Sequence, residues 1–176
     1  MADNKNGSDC SFEEKIAQNL SPLYNFVFYL TRNREDAQDL VQEATLRAYR
    51  FFHRYRQGTN FKAWIFTIAR NLFINEYRRR KKEPGKIPLG GESESFIQLP
   101  QNISVQEEIL IEQLKLAVDE LPQELREAIT LFYLEGFSYK DIAQIMDVPL
   151  GTVMSRLFTA RQVLKKKMFV PDTQGS

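Results

Sequence analysis

The sequence predicts an all-α fold: two small helical domains joined by a flexible linker, with a helix-turn-helix at the C-terminal end. Three observations predict it. Apolar residues recur at helical spacing on both sides of residues 83–104, and no strand period of any length occurs. Residues 83–104 themselves hold three prolines and three glycines without a period, the composition of an extended linker. Near the end, two short amphipathic stretches flank a sharp breaker, Asp147-Val148-Pro149.

The terminal stretch carries most of the information. Ser138 stands where an N-cap belongs, and Asp141 three residues later approximates a capping box. Ile142, Ala143 and Ile145 suit a short helix, which Pro149 and the restricted residue before it stop. A second helix is expected from about Gly151-Thr152. Val153, Leu157, Ala160 and Leu164 form its buried stripe, and Ser155, Arg156, Thr159, Arg161 and Gln162 its polar face. The major groove of duplex DNA admits one such helix, with the side chains near its N-terminus reaching base edges. An αα corner with solvated charges would satisfy the same pattern.

Earlier in the chain, residues 1–11 are polar. Phe12, Ile16, Leu20, Leu23, Val27 and Leu30 follow at helical spacing, with Ser21-Pro22 expected to interrupt and restart the helix. Asn33 caps a helix over about 34–53 that would bury Ala37, Leu40, Val41, Ala44, Ala48 and Phe51. Its other face is acidic and polar: Glu35, Asp39, Gln42 and Glu43. Residues 54–60 read as a loop broken by Gly58, and Asn60 caps a third helix over 61–82. Phe61, Trp64, Ile65, Ile68 and Leu72 line its expected buried face, among Lys62, Arg70, Asn71, Asn75, Arg78, Arg79 and a final basic run. Cations interleaved with aromatics, beside Arg54, Tyr55 and Arg56, suit single-stranded nucleic acid: cations track phosphates and bases stack on rings. The plain alternative makes the aromatics core, and for Phe61 that reading is preferred. Beyond the linker, Leu110, Leu114, Ala117 and Leu121 make one stripe, ended by Pro122. Leu125, Ile129, Phe132 and Tyr133 make another, ended by Gly136. The apolar linker residues Ile87, Leu89, Phe96, Ile97 and Leu99 exceed what a spacer needs.

Composition narrows the functional classes. The chain has 176 residues and a formal net charge of +1, so any nucleic-acid surface must be local and balanced by acid elsewhere. One cysteine, Cys10, and one histidine, His53, permit neither an internal disulfide nor a Cys/His zinc cluster. No glycine-rich phosphate loop, activated nucleophile or metal-ligand spacing occurs, so no enzyme activity, catalytic residue, cofactor or metal is expected. No run has signal-peptide or membrane-spanning character, and a cytoplasmic protein without membrane insertion is expected.

Three segments together carry a family resemblance. They are REDAQDLVQEATLRAYRFF at 34–52, NFKAWIFTIARNLFINEYRRR at 60–80, and ELPQELREAITLFYLEGFSYKDIAQIMDVPLGTVMSRLFTAR at 120–161. In this order and across a linker they resemble the extracytoplasmic-function (ECF) sigma factors of bacteria, the smallest members of the sigma-70 family. The resemblance covers about residues 12–167. It implies sigma region 2 at 12–82, a linker at 83–104, region 4 at 105–170 and a tail at 171–176. It implies a factor that directs core RNA polymerase to specific promoters and assists their melting. Asp36, Asp39, Leu40, Gln42 and Glu43 would dock on the β′ clamp helices, with the β flap as a further polymerase contact. Arg54, Tyr55, Arg56, Asn60, Lys62, Trp64, Arg70, Asn71, Asn75, Arg78 and Arg79 would open the minus-ten element and hold a flipped base. Thr152, Met154, Ser155, Arg156, Phe158, Thr159 and Arg161 would read the minus-thirty-five element as duplex. An anti-sigma factor is a further implied partner.

The chain departs from its relatives at three positions. Many have aspartate where Asn75 stands, and often arginine where Met154 and Thr159 stand. A promoter preference different from the common minus-thirty-five motif is therefore expected; a binding-site selection returning that motif would contradict it. Two other functions compete. A stand-alone helix-turn-helix regulator accounts for residues 120–167 but leaves 34–53 and 60–82 without a task. A sigma-like decoy would titrate polymerase or an anti-sigma factor.

Overall fold

The computed structural model describes residues 11–83, 85 and 104–169. Cys10 and the apolar linker residues Ile87, Leu89, Phe96, Ile97 and Leu99 lie outside the described residues, as do most of the linker and the tail from 170. Among the described residues all regular structure is helical: α1 (Phe12–Thr31), α2 (Arg34–Phe51), α3 (Phe61–Lys82), α4 (Val105–Asp119), α5 (Gln123–Ile129), α6 (Tyr139–Met146) and α7 (Leu150–Met168).

Side-chain caps set most of the helix starts. Ser11 and Glu14 form a reciprocal capping box at α1, and Ser104 and Glu107 repeat it at α4. Asn33 and Asn60 accept the N–H of Asp36 and Ala63 at α2 and α3. At α6, Ser138 Oγ accepts the Asp141 N–H at 3.1 Å and donates to the Asp141 carboxylate at 2.7 Å. Asp147 then turns the chain with φ 52°, a left-handed conformation that a short polar side chain tolerates.

Several expectations are corrected. Ser21-Pro22 does not restart a helix: α1 runs unbroken through Pro22. Leu23, Phe26 and Val27, all buried just beyond it, hold the next turn in place against the one missing N–H. Phe51 is 43% exposed because α2 ends there and Phe52 takes the inward position. Leu110 and Leu114 are exposed as well. Only the C-terminal half of α4 is covered, through Ala117, Val118 and the following Leu121, where α7 packs on it. Tyr133 turns outward because Thr130–Leu134 winds as a π-helix, whose wider turn rotates the register after α5.

α3 is the central helix. It packs on α1 and α2 from one side and on α6 from the other. The single stripe expected for it is therefore incomplete: Ala63, Phe66, Ala69 and Phe73 are buried too. Trp64, Ile68 and Leu72 are only half-buried. Phe66 stacks on Phe26 at 4.9 Å and meets Phe137 edge-on at 5.0 Å, so one apolar cluster runs through both halves. Gly136, at φ 70°, makes the turn that presents Phe137 to this contact.

Candidate nucleic-acid interface

Two helices for which the family resemblance implies separate tasks share one groove. Its volume is about 440 Å³, and Asp36, Asp39, Leu40 and Glu43 of α2 face Leu72, Asn75, Glu76, Arg79 and Arg80 of α3 across it. Arg80 ties the walls together: it donates to both Asp36 oxygens at 3.0 and 2.6 Å and to Glu76 at 2.7 Å. Arg79 holds the other side of Glu76 with two bonds of 2.9 and 2.8 Å. Arg80, which the sequence reading left within a basic run, is the residue that organises the groove, and only its long-range partner Asp36 reveals this.

The pair of arginines holds the Glu76 carboxyl down at about 2, below the ordinary 4.5. A carboxyl depressed in the folded state contributes stability that is complete above the ordinary value and lost as pH falls toward the depressed one. Thermal unfolding of the wild type is expected to show this loss between pH about 4.5 and about 2. Glu76→Gln should lack that part of the pH dependence, and equal slopes in both proteins would contradict the assignment.

The expected polymerase-facing residues divide. Asp39, Gln42 and Glu43 are exposed, Glu43 bonding Arg47 at 2.7 Å along the helix. Leu40 is buried and supports the groove floor, and Asp36 is engaged by Arg80. The expected melting residues divide as well. Arg54, Arg56, Asn71, Asn75, Arg78 and Arg79 are exposed. The Arg54 guanidinium lies 5.2 Å from the Phe51 ring centre. Tyr55 is buried rather than open for stacking. Its ring lies parallel to Phe52 at 5.7 Å and beside Trp64 at 5.2 Å, and its hydroxyl donates to the Thr59 carbonyl. Phe61 is core.

Lys62 and Arg70 lie in the contact between the halves. Lys62 Nζ donates to the Glu135 carbonyl at 2.8 Å, pairs with its carboxylate at 2.9 Å and sits 5.0 Å from the Phe137 ring centre. Arg70 pairs with Glu127 at 2.5 Å, their side chains 13% and 3% exposed. Arg32 and Asp119 add a third pair at 3.3 Å with the same polarity, cation in the first half and carboxylate in the second. Burial, partly offset by Arg70, raises the Glu127 carboxyl. Tyr29, also at this contact, lies under the Arg126 guanidinium at 5.6 Å. Burial raises its phenol too, and the Thr130 hydroxyl beside it draws it back. Yet neither hydroxyl reaches good hydrogen-bond geometry with a partner among the described residues.

On α7, Val153, Leu157 and Ala160 are buried as expected and Leu164 is half-buried. Met154, Ser155, Phe158 and Thr159 face out, with Thr152 half-exposed. The two arginines of the expected reading set have local partners. Arg156 pairs with Glu124 at 3.0 Å. Arg161 donates to the Tyr133 hydroxyl at 2.9 Å and the Tyr139 hydroxyl at 3.4 Å, lying over the Phe132 and Tyr133 rings. Lys167 pairs with Glu120. Among the described residues no cluster of carboxylate, histidine and cysteine ligands could hold a metal, and no helix is long and apolar enough to cross a membrane.

The sigma-70 region 2 model matches residues 16–83, and a sigma-70 region 4 model matches residues 111–164. The chain is 36% identical over 164 residues to the ECF RNA polymerase sigma factor EcfG of Rhodopseudomonas palustris, covering 93% of this chain and 88% of that one. It is 34% identical to the ECF sigma factor SigM of Bacillus subtilis, covering 88% and 93%. Among solved structures, it is similar to the sigma factor RpoE of Bartonella quintana in complex with the anti-sigma factor NepR. The TM-score is 0.72 and the identity 31%, over 90% of this chain and 97% of that one. CnrH, solved with the cytosolic domain of CnrY, shares the fold at a TM-score of 0.60 and 19% identity. With both of its halves matched in order and close relatives along most of its length, the chain belongs to the sigma-70 family as an ECF sigma factor, a subunit that acts with RNA polymerase in transcription initiation.

Proposed function

We propose that the two halves divide promoter recognition between them. The groove between α2 and α3 carries this reading: it sets the exposed carboxylates of α2 against the arginines of α3 across a single cleft. Asp39, Gln42 and Glu43 give the docking surface for the β′ clamp helices, and Arg80 fixes their helix relative to the DNA-facing end of α3. Arg54, Arg56, Asn71, Asn75, Arg78 and Arg79 track the separated minus-ten strand, because cations there neutralise phosphates. Trp64 backs the pocket for an extruded base, whose removal from the stack costs a few kcal/mol. Tyr55 supports that pocket from within the core. α7 reads the minus-thirty-five element in the major groove, and a second polymerase contact, at the β flap, falls to the second half. The likeness to RpoE of Bartonella quintana, solved with NepR, supports an anti-sigma partner for this chain too, and the protein works in the cytoplasm where its polymerase is.

Run-off transcription with purified core polymerase tests the whole. A transcript is expected only when both proteins are present; no transcript on any template would refute it and leave the decoy reading. Arg79→Ala and Trp64→Ala should slow promoter opening, followed by a fluorescent base in the minus-ten element, more than they weaken duplex binding. Equal losses in both measurements would remove these two residues from the opening step.

A further inference from the structure

We propose that Met154 and Phe158 read the 5-methyl groups of two thymines in the upstream promoter element. This rests on the reading of α7 as the major-groove helix. The two side chains stand four residues apart on the outer face of α7, 52% and 62% exposed, the most exposed large apolar side chains of the helix itself before its C-terminal end. Water-facing apolar surface of this kind is unfavourable unless something covers it. The cations that would ordinarily read guanine from this face are diverted: Arg156 lies against Glu124 at 3.0 Å with only 16% of its side chain exposed, and Arg161 is held by Tyr133 and Tyr139. What the first three turns offer the groove is therefore apolar surface with small hydroxyls at Thr152, Ser155 and Thr159.

In the major groove the thymine methyl is the one apolar group that a base edge presents, and apolar side chains recognise it. Four helical residues rise about 6 Å, close to two base-pair steps of about 3.4 Å each. The pair therefore addresses thymines on neighbouring or next-neighbouring base pairs. Lys165 and Lys166, exposed at the far end of the same helix, supply phosphate contacts that set its position without adding base preference.

The test uses holoenzyme and a promoter obtained by binding-site selection. Each upstream thymine is replaced in turn by deoxyuridine, which removes the methyl and nothing else. Affinity should fall about fourfold at each of two positions, since a buried methylene is worth ~0.8 kcal/mol and about 1.4 kcal/mol is tenfold. Met154→Ala should abolish the sensitivity at one of them and Phe158→Ala at the other, while Met154→Leu should retain it. Both residues are on the surface, so these variants fold. If deoxyuridine is silent everywhere while the upstream footprint persists, methyl reading is wrong and the placement of α7 stands. If no footprint or sequence preference exists upstream, the placement of α7 is wrong as well. If the alanine variants lose core-polymerase binding with unchanged methyl sensitivity, the stripe serves a protein contact and the proposal is overturned.

Discussion

Glu127→Ala is expected to part the two halves of this protein. Glu127 is the most deeply buried charge of the described residues: its side chain is 3% exposed and its carboxylate is 2.5 Å from Arg70. Removing one partner of a buried pair leaves the other charge desolvated and unmatched, and the loss is typically about 3–5 kcal/mol. Here the loss falls on the contact between halves, because Arg70 belongs to α3 and Glu127 to α5. The contact has little to absorb it. Tyr29 and Thr130 bury their hydroxyls beside each other there, with no well-formed bond to any further group among the described residues. Small-angle scattering should show a larger radius of gyration for Glu127→Ala, and amides of α6 should exchange faster. Glu127→Gln, which keeps an acceptor for the guanidinium, should fall between it and wild type. A wild-type scattering curve for the alanine variant would refute the prediction. The same pair bears on promoter opening. In this arrangement Arg70 and Lys62 are engaged by Glu127 and Glu135, so any contact of these two side chains with DNA would require the contact between the halves to open.

The largest loss of stability is expected from Phe66→Ala. Phe66 is fully buried, stacked on Phe26 and edge-on to Phe137. Truncating a buried phenylalanine costs about 3–5 kcal/mol through lost transfer energy and the cavity left behind. For a chain of this length that lowers Tm by about 6–20 °C. Trp64→Ala serves as the comparison. Trp64 is only half-buried, so its truncation should lower Tm less while impairing promoter opening more. Calorimetry of the two variants would show the order, and a smaller fall for Phe66→Ala would contradict the burial seen here.

Caps and breakers were legible because they act within four residues: Asn33, Asn60, Ser138 and the Asp147-Val148-Pro149 turn all lie where local hydrogen bonding puts them. The stripe of α7 was legible because one side of that helix is buried. The stripe of α3 was not, since a periodicity argument finds a single face and α3 is covered from two. Tyr133 was misplaced for a different reason. A π turn adds a residue to the helical repeat, and no feature of Thr130–Leu134 signals it. Local spacing places Tyr55 in a polar loop between two arginines, and only the packing of Phe52 and Trp64 around it shows that it is core.

The sequence by itself determined the helices, the order of the two halves around a proline- and glycine-rich linker, and the terminal helix-turn-helix, because each follows from interactions a few residues apart. Only the tertiary structure decided which charges are available to a partner. Arg80 with Asp36, Arg70 with Glu127 and Lys62 with Glu135 join residues 44, 57 and 73 positions apart. Charge pairing depends on distance in space, and distances set by how helices pack leave no mark on local spacing.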